Sequence, residues 1–532
     1  MWPGTTRSCR PAATTTFFAG NPTAGWWRVG RSCSPATSRS ASTTEHRGPP
    51  VALDKLLSGA PARDDLVVDG DGRYSTEQVE SRIRAVAAAL SARGVAPGDR
   101  VAFRLPVGVD AVVAYRACWR IGAVAVALHP AAGSHQMNEA LAQARPVVTI
   151  AGPDFPPTDG VRPLALDDLT AAPDAAPGGP GSESTTAGTD AAIMFTSGST
   201  GAPRGVIHTH GSLAYKIIQL TEAHGLTPDD CALVPSPLAH VAGLLHGVLI
   251  PPALGAKTVL MPRWDPEAAL ALIERESVTY MVGPPTLFTT LMDCDGFDPR
   301  RAATLRMISC GGTGVTPAFC RRAAATLDVV VKRSYGSTEA PTIATSRFDD
   351  PTDKMILTDG RAFGDARLQV ADDGELWVSG PELARGYLDP ADTRTAFVDG
   401  WFRTGDLATV EDGWVTVTGR LGDRIIRSGE NISATEVEQH LEAHPAVLAA
   451  AAVAEPDDRL GERVAAFVVA PDGFDLTACR EWFARRGAAR FITPERIEVV
   501  EELPVLASGK VDRMKLQARL MDPSGSSAGS DR

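Results

Sequence analysis

The chain has 532 residues, of which 44% are hydrophobic and 22% charged, so it is an ordinary globular sequence with room for about two to four domains. Its net charge of −12 argues against nucleic acid as a partner, and no apolar run reaches the roughly 18 residues of a membrane-spanning helix. The eight cysteines have no C-x-x-C spacing, which argues against a disulfide framework or zinc site and favours a cytoplasmic location.

Residues 1–50 differ in composition from the rest of the chain. They contain six arginines, a single acidic residue and many Ser, Thr and Pro, and they lack the apolar segment of a secretory signal. This composition predicts a disordered basic extension, with an organellar transit peptide as the alternative. Whether the segment belongs to the mature protein is left open.

From residue 51 the sequence alternates between strand and helix patterns. Ser75–Gln78 has the pattern of a capping box at a helix start. A strand is predicted at Val101–Leu105, followed by a helix over Ala111–Ile121. Such alternation with short turns predicts an α/β fold, in which helices cover a mostly parallel sheet.

The pattern changes near residue 365. Short alternating strands on either side of Asp412–Gly413 predict a small β subdomain. An α+β unit begins after about Asp423 and includes a second capping-box pattern at Ser433–Glu436. We therefore predict a large domain over 51–422, a small C-terminal domain over 423–522 and a disordered tail over 523–532.

A loop rich in glycine and hydroxyl side chains follows an apolar strand and runs from Phe195 to Gly205. Its glycines let backbone N–H groups approach an anion, its hydroxyls add donors, and Arg204 adds a positive charge. The loop fits a polyphosphate clamp, although its composition alone also fits a flexible surface loop. It has neither the Walker A spacing nor the G-x-G-x-x-G spacing.

This loop resembles the phosphate loop of the adenylate-forming superfamily, which includes acyl-CoA synthetases, luciferases and adenylation domains of peptide synthetases. That family's loop usually ends in Pro-Lys-Gly, whereas this one ends in Pro203-Arg204-Gly205. Six further segments resemble the family in the expected order: Pro237–Gly243, Ser309–Thr313, Tyr335–Glu339, Trp401–Leu407, Gly419–Arg424 and Pro504–Val511. The resemblance implies that the C-terminal domain is mobile and hinged to the large domain.

The resemblance also implies a site for ATP and Mg²⁺. Tyr335 would stack on adenine, Asp406 would bind the ribose, Arg420 would contact ribose or phosphate, and Glu339 would hold Mg²⁺. The other nucleotide-site and CoA-tunnel residues that it implies are Thr196, Ser197, Gly198, Ser199, Thr200, Gly201, Arg204, Gly311, Gly312, Thr313, Gly336, Ser337, Thr338 and Gly429.

Two further residues would act at the substrate carboxylate. His240 matches the family's histidine near that group, although a histidine among apolar residues is more often a core residue. Lys510 matches the catalytic lysine, although a lone lysine is usually only a solvated charge. Glu339 completes the predicted catalytic set, and Asp423 would be the hinge about which the C-terminal domain rotates between two half-reactions.

The expected reaction is ATP-dependent activation of a carboxylic acid to an acyl-adenylate, followed by transfer to CoA. Pro237–Gly247 contains no Asp or Glu, which favours an uncharged, apolar acid. The segments look most like medium-chain, alicyclic or aromatic acyl-CoA ligases. An acyl- or aryl-AMP ligase that loads a carrier protein is the alternative, and a catalytically inactive binding protein is a third. The exact acid and the oligomeric state are left open.

Overall fold

The computed structural model describes residues 52–152, 155, 162–170, 185–197, 203–312, 314–427, 430–457, 459–471, 474–506 and 511–521. The predicted extension over 1–50 and the tail over 523–532 lie outside these residues. None of the described helices is both long enough and apolar enough to cross a membrane.

The first part of the described chain alternates helices with short strands. Its elements are α1 (Leu53–Ser58), β1 (Val67–Asp69), β2 (Gly72–Tyr74), α2 (Thr76–Ala92), β3 (Arg100–Arg104), α3 (Val109–Arg120), β4 (Val124–Ala127), α4 (Ser134–Ala144), β5 (Val148–Ala151), α5 (Leu166–Thr170) and β6 (Asp190–Ser197). The predicted capping box is present at α2, because Ser75 Oγ accepts from Gln78 N while Gln78 Oε1 accepts from Ser75 N.

The middle part continues the alternation. Its elements are β7 (Pro203–Thr209), α6 (His210–His224), β8 (Cys231–Val234), α7 (Val241–Gly243), a π-helical segment (Leu244–Leu249), α8 (Ile250–Leu254), β9 (Lys257–Leu260), α9 (Pro266–Glu276), β10 (Tyr280–Gly283), α10 (Pro285–Asp293), a 3₁₀ turn (Pro299–Ala302), β11 (Met307–Gly311), α11 (Pro317–Leu327), β12 (Val330–Tyr335), β13 (Ala344–Thr345), α12 (Thr352–Leu357) and β14 (Arg361–Ala362).

The last part is richer in strands. Its elements are β15 (Arg367–Val370), β16 (Glu375–Ser379), β17 (Gly386–Tyr387), α13 (Pro390–Ala396), β18 (Phe397–Val398), β19 (Trp401–Glu411), β20 (Trp414–Arg420), a 3₁₀ turn (Leu421–Asp423), β21 (Arg424–Arg427), β22 (Glu430–Ser433), α14 (Ala434–Glu442), β23 (Ala449–Asp457), β24 (Gly461–Val469), α15 (Leu476–Arg485), a 3₁₀ turn (Arg490–Ile492), β25 (Arg496–Val499) and α16 (Arg513–Met521).

The strands form three sheets. The largest has the order β15-β16-β19-β20-β14-β13-β12-β11-β10-β8-β9-β1-β2, with β18 beside β19. A second has the order β17-β7-β6-β4-β3-β5, and a third combines β21 to β25. In the centre of the largest sheet, the adjacent strands β12, β11, β10, β8 and β9 are parallel. From β13 to β15 along the sheet, neighbouring strands pair antiparallel. This α/β architecture with mixed sheets confirms the predicted fold class.

The strands predicted as a small β subdomain are present, and they are continuous with the largest sheet. Strands β15, β16, β19 and β20 pair antiparallel, and β20 reaches the parallel part of the sheet through β14 and β13. This continuity places the β19–β20 pair at the carboxyl end of β12. The third sheet contains only strands that follow residue 423. The exact division into domains at 422/423 stays a prediction.

Helix α3 lies in the main hydrophobic core and contacts strand β6. Ten of its twelve residues are buried, among them Tyr115 and Trp119 with no exposed surface. The Trp119 indole donates to the backbone oxygen of Ala191 in β6 over 2.9 Å. The Tyr115 hydroxyl donates to the backbone oxygen of Leu238 over 2.9 Å. One buried helix therefore contacts both the start of β6 and the segment that contains His240.

Candidate active site

The glycine-rich loop connects two antiparallel strands. Strands β6 and β7 pair so that Thr196 lies opposite Arg204 and Ser197 opposite Pro203. The two strands that flank the loop therefore form a hairpin, and they belong to the second sheet. Gly198, Ser199, Thr200 and Gly201, which were predicted to contact phosphate, lie outside the described residues.

Arg204 lies beside a tyrosine that the sequence analysis did not single out. Its guanidinium carbon is 5.4 Å from the ring centroid of Tyr387, a cation–π geometry. Tyr387 is positioned by strand β17, which pairs with β7. Its hydroxyl donates to Glu339 Oε1 over 2.7 Å. The unusual arginine is thus connected through one aromatic ring to the carboxylate that was predicted to hold Mg²⁺.

Glu339 is held in a fixed position at the end of the segment that follows β12. The residue is only 9% exposed, and its backbone oxygen accepts from Ala384 N over 2.8 Å. Beside it, Thr338 O is 2.7 Å from His208 Nε2. Burial lowers the pKa of His208 to about 4, despite the opposing effects of the Thr338 carbonyl and the Glu339 charge. His208 is therefore a neutral support for this segment at pH 7.

Close backbone packing explains the glycines at two strand ends. A Cβ on Gly336 would lie 2.3 Å from Thr342 N, and a Cβ on Gly311 would lie 2.3 Å from Ser334 O. Gly312 differs, because it has φ +80° and no atom within 4 Å of the position of a Cβ. The turn after β11 therefore presents exposed backbone, as expected for a surface that contacts a flat ring. Thr313 lies outside the described residues.

Asp406 joins three of the predicted segments. Its Oδ2 accepts from the Tyr335 hydroxyl over 2.7 Å, and its Oδ1 accepts from Arg420 Nε over 2.6 Å. Asp406 is only 6% exposed and lies directly opposite Arg420 in the β19–β20 pair. A carboxylate has about four acceptor positions, so both oxygens can still accept further hydrogen bonds. Because the Tyr335 hydroxyl and Arg420 Nε hold the Asp406 carboxylate in place, its remaining acceptor positions have a fixed orientation.

His240 lies at the start of helix α7, and a second histidine lies against it. The ring centroids of His129 and His240 are 4.8 Å apart with an interplanar angle of 60°. His129 follows β4, a strand of the second sheet, so the two rings come together only in the folded chain. Burial lowers the pKa of His129, and the nearby positive charge of Arg104 lowers it further. His129 was not among the predicted site residues.

The predicted hinge lies in the 3₁₀ turn Leu421–Asp423, between β20 and β21. The Asp423 carboxylate is 3.2 Å from Arg513 Nε, and Arg513 also donates to the Glu438 carboxylate and to Ala452 O. Helix α16 is therefore connected to the turn by the side chain of Arg513.

Gly429 and Lys510 lie outside the described residues. Val505, which precedes Lys510, and Val511, which follows it, form an antiparallel β-bridge.

The sequence matches two family descriptions along most of its length. Residues 57–388 match the family described as AMP-binding enzyme, and residues 436–510 match the AMP-binding enzyme C-terminal domain. Both ranges contain segments on which the resemblance was based.

Individual relatives agree with these matches. The chain is 33% identical over 495 residues to the medium-chain fatty-acid–CoA ligase of Escherichia coli, covering 86% of this chain and 87% of the relative. It is 34% identical over 462 residues to a feruloyl-CoA synthase of an Amycolatopsis species, covering 83% and 93%. Among solved structures, ATP-bound MatB from Rhodopseudomonas palustris superposes with a TM-score of 0.82 at 26% identity, covering 89% of this chain and 99% of MatB.

Proposed function

This chain belongs to the AMP-binding enzyme family and is an AMP-forming acid–CoA ligase, and from that premise we propose how its residues carry out the two half-reactions. In the first, a carboxylate oxygen attacks the α-phosphorus of ATP, giving an acyl-adenylate and pyrophosphate. In the second, the thiolate of CoA attacks the acyl carbon and releases AMP. The observation that carries the proposal is the Tyr335–Asp406–Arg420 hydrogen-bond network, because it joins three separate segments at one acceptor group.

The nucleotide is assigned to this network by chemistry. The free acceptor positions of Asp406 suit the two hydroxyls of a ribose. The exposed backbone at Gly312 and the ring of Tyr335 suit adenine, which is flat and stacks on aromatic faces. Arg204 and the glycine-rich loop would then bind the β- and γ-phosphates. Backbone N–H groups and one guanidinium are the donors that stabilise a pyrophosphate leaving group.

A magnesium ion is assigned to Glu339 together with the phosphates of ATP. Magnesium commonly binds one or two carboxylates and completes its shell with substrate phosphates and water. The Tyr387 hydroxyl donates to Glu339 Oε1 and so fixes the carboxylate that would hold the ion. The ion would neutralise phosphate charge during the first half-reaction.

Removal of the Tyr387 hydroxyl tests this assignment. We expect Tyr387→Phe to raise the Mg²⁺ concentration for half-maximal adenylation by about tenfold, because a hydrogen bond to a charged group contributes about 1.5–3 kcal/mol. The kcat at saturating Mg²⁺ should change much less. Tyr215→Phe is the matched control, since the Tyr215 hydroxyl donates to the surface carboxylate of Asp365. An unchanged Mg²⁺ dependence in Tyr387→Phe would refute a role for Tyr387 in positioning Glu339.

His240 and Lys510 are assigned to the reaction centre. His240 begins helix α7 at the edge of the apolar segment that continues through Leu244 and Leu245, both buried. That segment contains no acidic residue to bind an ammonium group, so the acid would be uncharged apart from its carboxylate. Relatives named for a medium-chain fatty acid and for a feruloyl group are compatible with such an acid.

Pyrophosphate exchange across a panel of carboxylic acids tests the function as a whole. We expect acid-dependent exchange of labelled pyrophosphate into ATP, followed by thioester formation when CoA is added. Asp406→Asn should weaken the exchange, whereas Asp412→Asn, in an exposed turn of the same strand pair, should not. Exchange without turnover of free CoA would favour a carrier protein as acceptor. Absence of exchange with every acid would favour a binding protein that lacks activity.

A further inference from the structure

A buried ion pair lies behind the segment that contains Glu339. It joins Lys216, on α6, to Glu382, in the loop between β16 and β17, with 3.1 Å between Nζ and Oε1. Neither side chain has any exposed surface. The two residues are 166 positions apart in the chain, and neither belongs to a predicted motif. We call Lys216 and Glu382 the buried ion pair.

The buried ion pair contacts the chain on both sides of Glu339. Lys216 Nζ also donates to the backbone oxygen of Thr342, three residues after Glu339, over 3.1 Å. Glu382 comes two residues before Ala384, whose backbone N donates to the backbone oxygen of Glu339 over 2.8 Å. The pair therefore joins the turn that follows the proposed magnesium ligand to the loop that holds this ligand from the other side.

The turn that Lys216 contacts has a strained backbone. Thr342 has φ +36°, in the left-handed region that residues other than glycine rarely adopt. Such a conformation persists only where the surrounding structure holds it. The charged hydrogen bond from Lys216 to the Thr342 carbonyl is one such restraint, and the close approach of Gly336 to Thr342 N is another.

The strand–helix unit formed by β7 and α6 holds the backbone before and after Glu339. His208 Nε2, on β7, is 2.7 Å from the backbone oxygen of Thr338, one residue before Glu339. Lys216, on α6, reaches Thr342. Because β7 follows the glycine-rich loop directly, one continuous stretch of chain connects the proposed phosphate site to the support of the proposed metal ligand.

The free energy of unfolding does not account for the buried ion pair. Two charges removed from water lose more hydration than their attraction replaces, and apolar residues of similar volume are often equally or more stabilising. Glu382 Oε2 has no hydrogen-bond partner among the described residues, so the carboxylate is incompletely satisfied. Burial lowers the pKa of Lys216, although the charge of Glu382 opposes this effect. What the pair adds to apolar packing is a charged donor fixed on one backbone oxygen.

We propose that the buried ion pair positions the magnesium ligand: Lys216, held by Glu382, fixes the turn at Thr342 and thereby the orientation of the Glu339 carboxylate. This inference rests on the proposed function, because it assumes that Glu339 holds the ion. Lys216 and Glu382 are positioning residues, and neither touches the metal or a substrate.

Replacement of the pair by apolar residues of similar size separates positioning from stability. We expect Lys216→Met/Glu382→Leu to melt at or above the wild-type temperature, whereas Lys216→Met alone, which leaves Glu382 unpaired, should melt well below it. The Mg²⁺ concentration for half-maximal pyrophosphate exchange at a fixed ATP concentration should rise by about fivefold in the double variant. This loss is smaller than that for a residue bonded to the ligand itself, because the pair acts through the backbone.

Metal binding without turnover provides a second measurement. Mn²⁺ prefers the same carboxylate and phosphate oxygens and is titrated by electron paramagnetic resonance. The enzyme is loaded with α,β-methylene-ATP, which cannot release pyrophosphate, and no acid is added. The double variant should bind Mn²⁺ about fivefold more weakly than the wild-type enzyme. This result does not depend on which acid the enzyme activates.

Lys332 provides a matched control. It is also completely buried, near the amino end of β12, and its Nζ donates to the backbone oxygen of Ala223 over 2.8 Å. Lys332→Met therefore removes the same charge from an equally buried position that does not contact the Glu339 segment through this hydrogen bond. It should leave the Mg²⁺ dependence and the Mn²⁺ affinity at their wild-type values.

Two results would overturn the inference. Wild-type Mn²⁺ affinity in a folded Lys216→Met/Glu382→Leu variant would mean that the pair has only a structural role. A double variant that melts well below the wild-type temperature would contradict the premise that stability does not account for the pair. Failure of the proposed function gives a different pattern, namely no pyrophosphate exchange with any acid in the wild-type enzyme, whereas a failed inference leaves exchange intact in the wild-type enzyme.

Discussion

We expect Lys510→Ala to lower the rate of acyl-adenylate formation by roughly 10²-fold or more, because one preorganised donor at a developing charge contributes on the order of 3 kcal/mol. The attack of a carboxylate on the α-phosphorus brings two anions together, and a cation stabilises the transition state more than either reactant. Pyrophosphate exchange measures this half-reaction. Thioester formation from a preformed acyl-adenylate should be affected much less.

The chain provides a matched control for that experiment. Lys515 is an exposed lysine on α16, five residues after Lys510, so Lys515→Ala removes the same charge from a neighbouring surface. It should leave both half-reactions near the wild-type rates. Equal losses in the two half-reactions of Lys510→Ala would contradict the assignment, since a lysine needed for both steps could not be specific to adenylation.

We expect Asp423→Pro to retain adenylation and to abolish most thioester formation. The second half-reaction requires a thiol near the acyl carbon, and in this family the C-terminal domain is expected to rotate about Asp423 to admit it. Proline fixes φ near −65° and also restricts Gly422, which precedes it. Single-turnover measurements of adenylate formation and of CoA-dependent adenylate consumption separate the two steps.

A second substitution at the same position distinguishes backbone from side chain. Asp423→Asn keeps the backbone free but removes the charge that faces Arg513 at 3.2 Å. If the backbone is the hinge, this variant should perform both steps at near wild-type rates. If Asp423→Asn blocked thioester formation as strongly as Asp423→Pro, the ion pair with helix α16 would be the important feature. Survival of both steps in Asp423→Pro would exclude Asp423 as the hinge.

The sequence predicted helix starts and helix extents well, because these depend on interactions between residues close together in the chain. The hydroxyl of Ser75 caps α2 as expected, and the hydroxyl of Ser433 caps α14 by accepting from Glu436 N. The helix predicted over Ala111–Ile121 is found as α3, displaced by only a residue or two at each end. These elements depend on neighbours within about four residues, so a short window of sequence contains most of the information.

Three residues of the proposed site were missed, and each for the same reason. Tyr387, His208 and His129 reach the site through strand pairing or packing between distant segments. Tyr387, for example, contacts a glutamate 48 residues earlier in the chain. No periodicity or spacing marks such a residue, because its partner is determined by how β17 pairs with β7. Only the order of the strands in the folded sheet indicates the contact.

The sequence by itself determined the family, the α/β class and the reaction, because motifs such as Tyr335–Glu339 and Trp401–Leu407 occur in the family's order and contain the residue types that the chemistry needs. The tertiary structure alone decided which groups hold those motifs in place. It connected Arg204 to Glu339 through Tyr387 and joined Tyr335 and Arg420 at Asp406. The physical reason is that a motif is local in the chain, whereas burial and hydrogen-bond satisfaction depend on neighbours that only folding brings together.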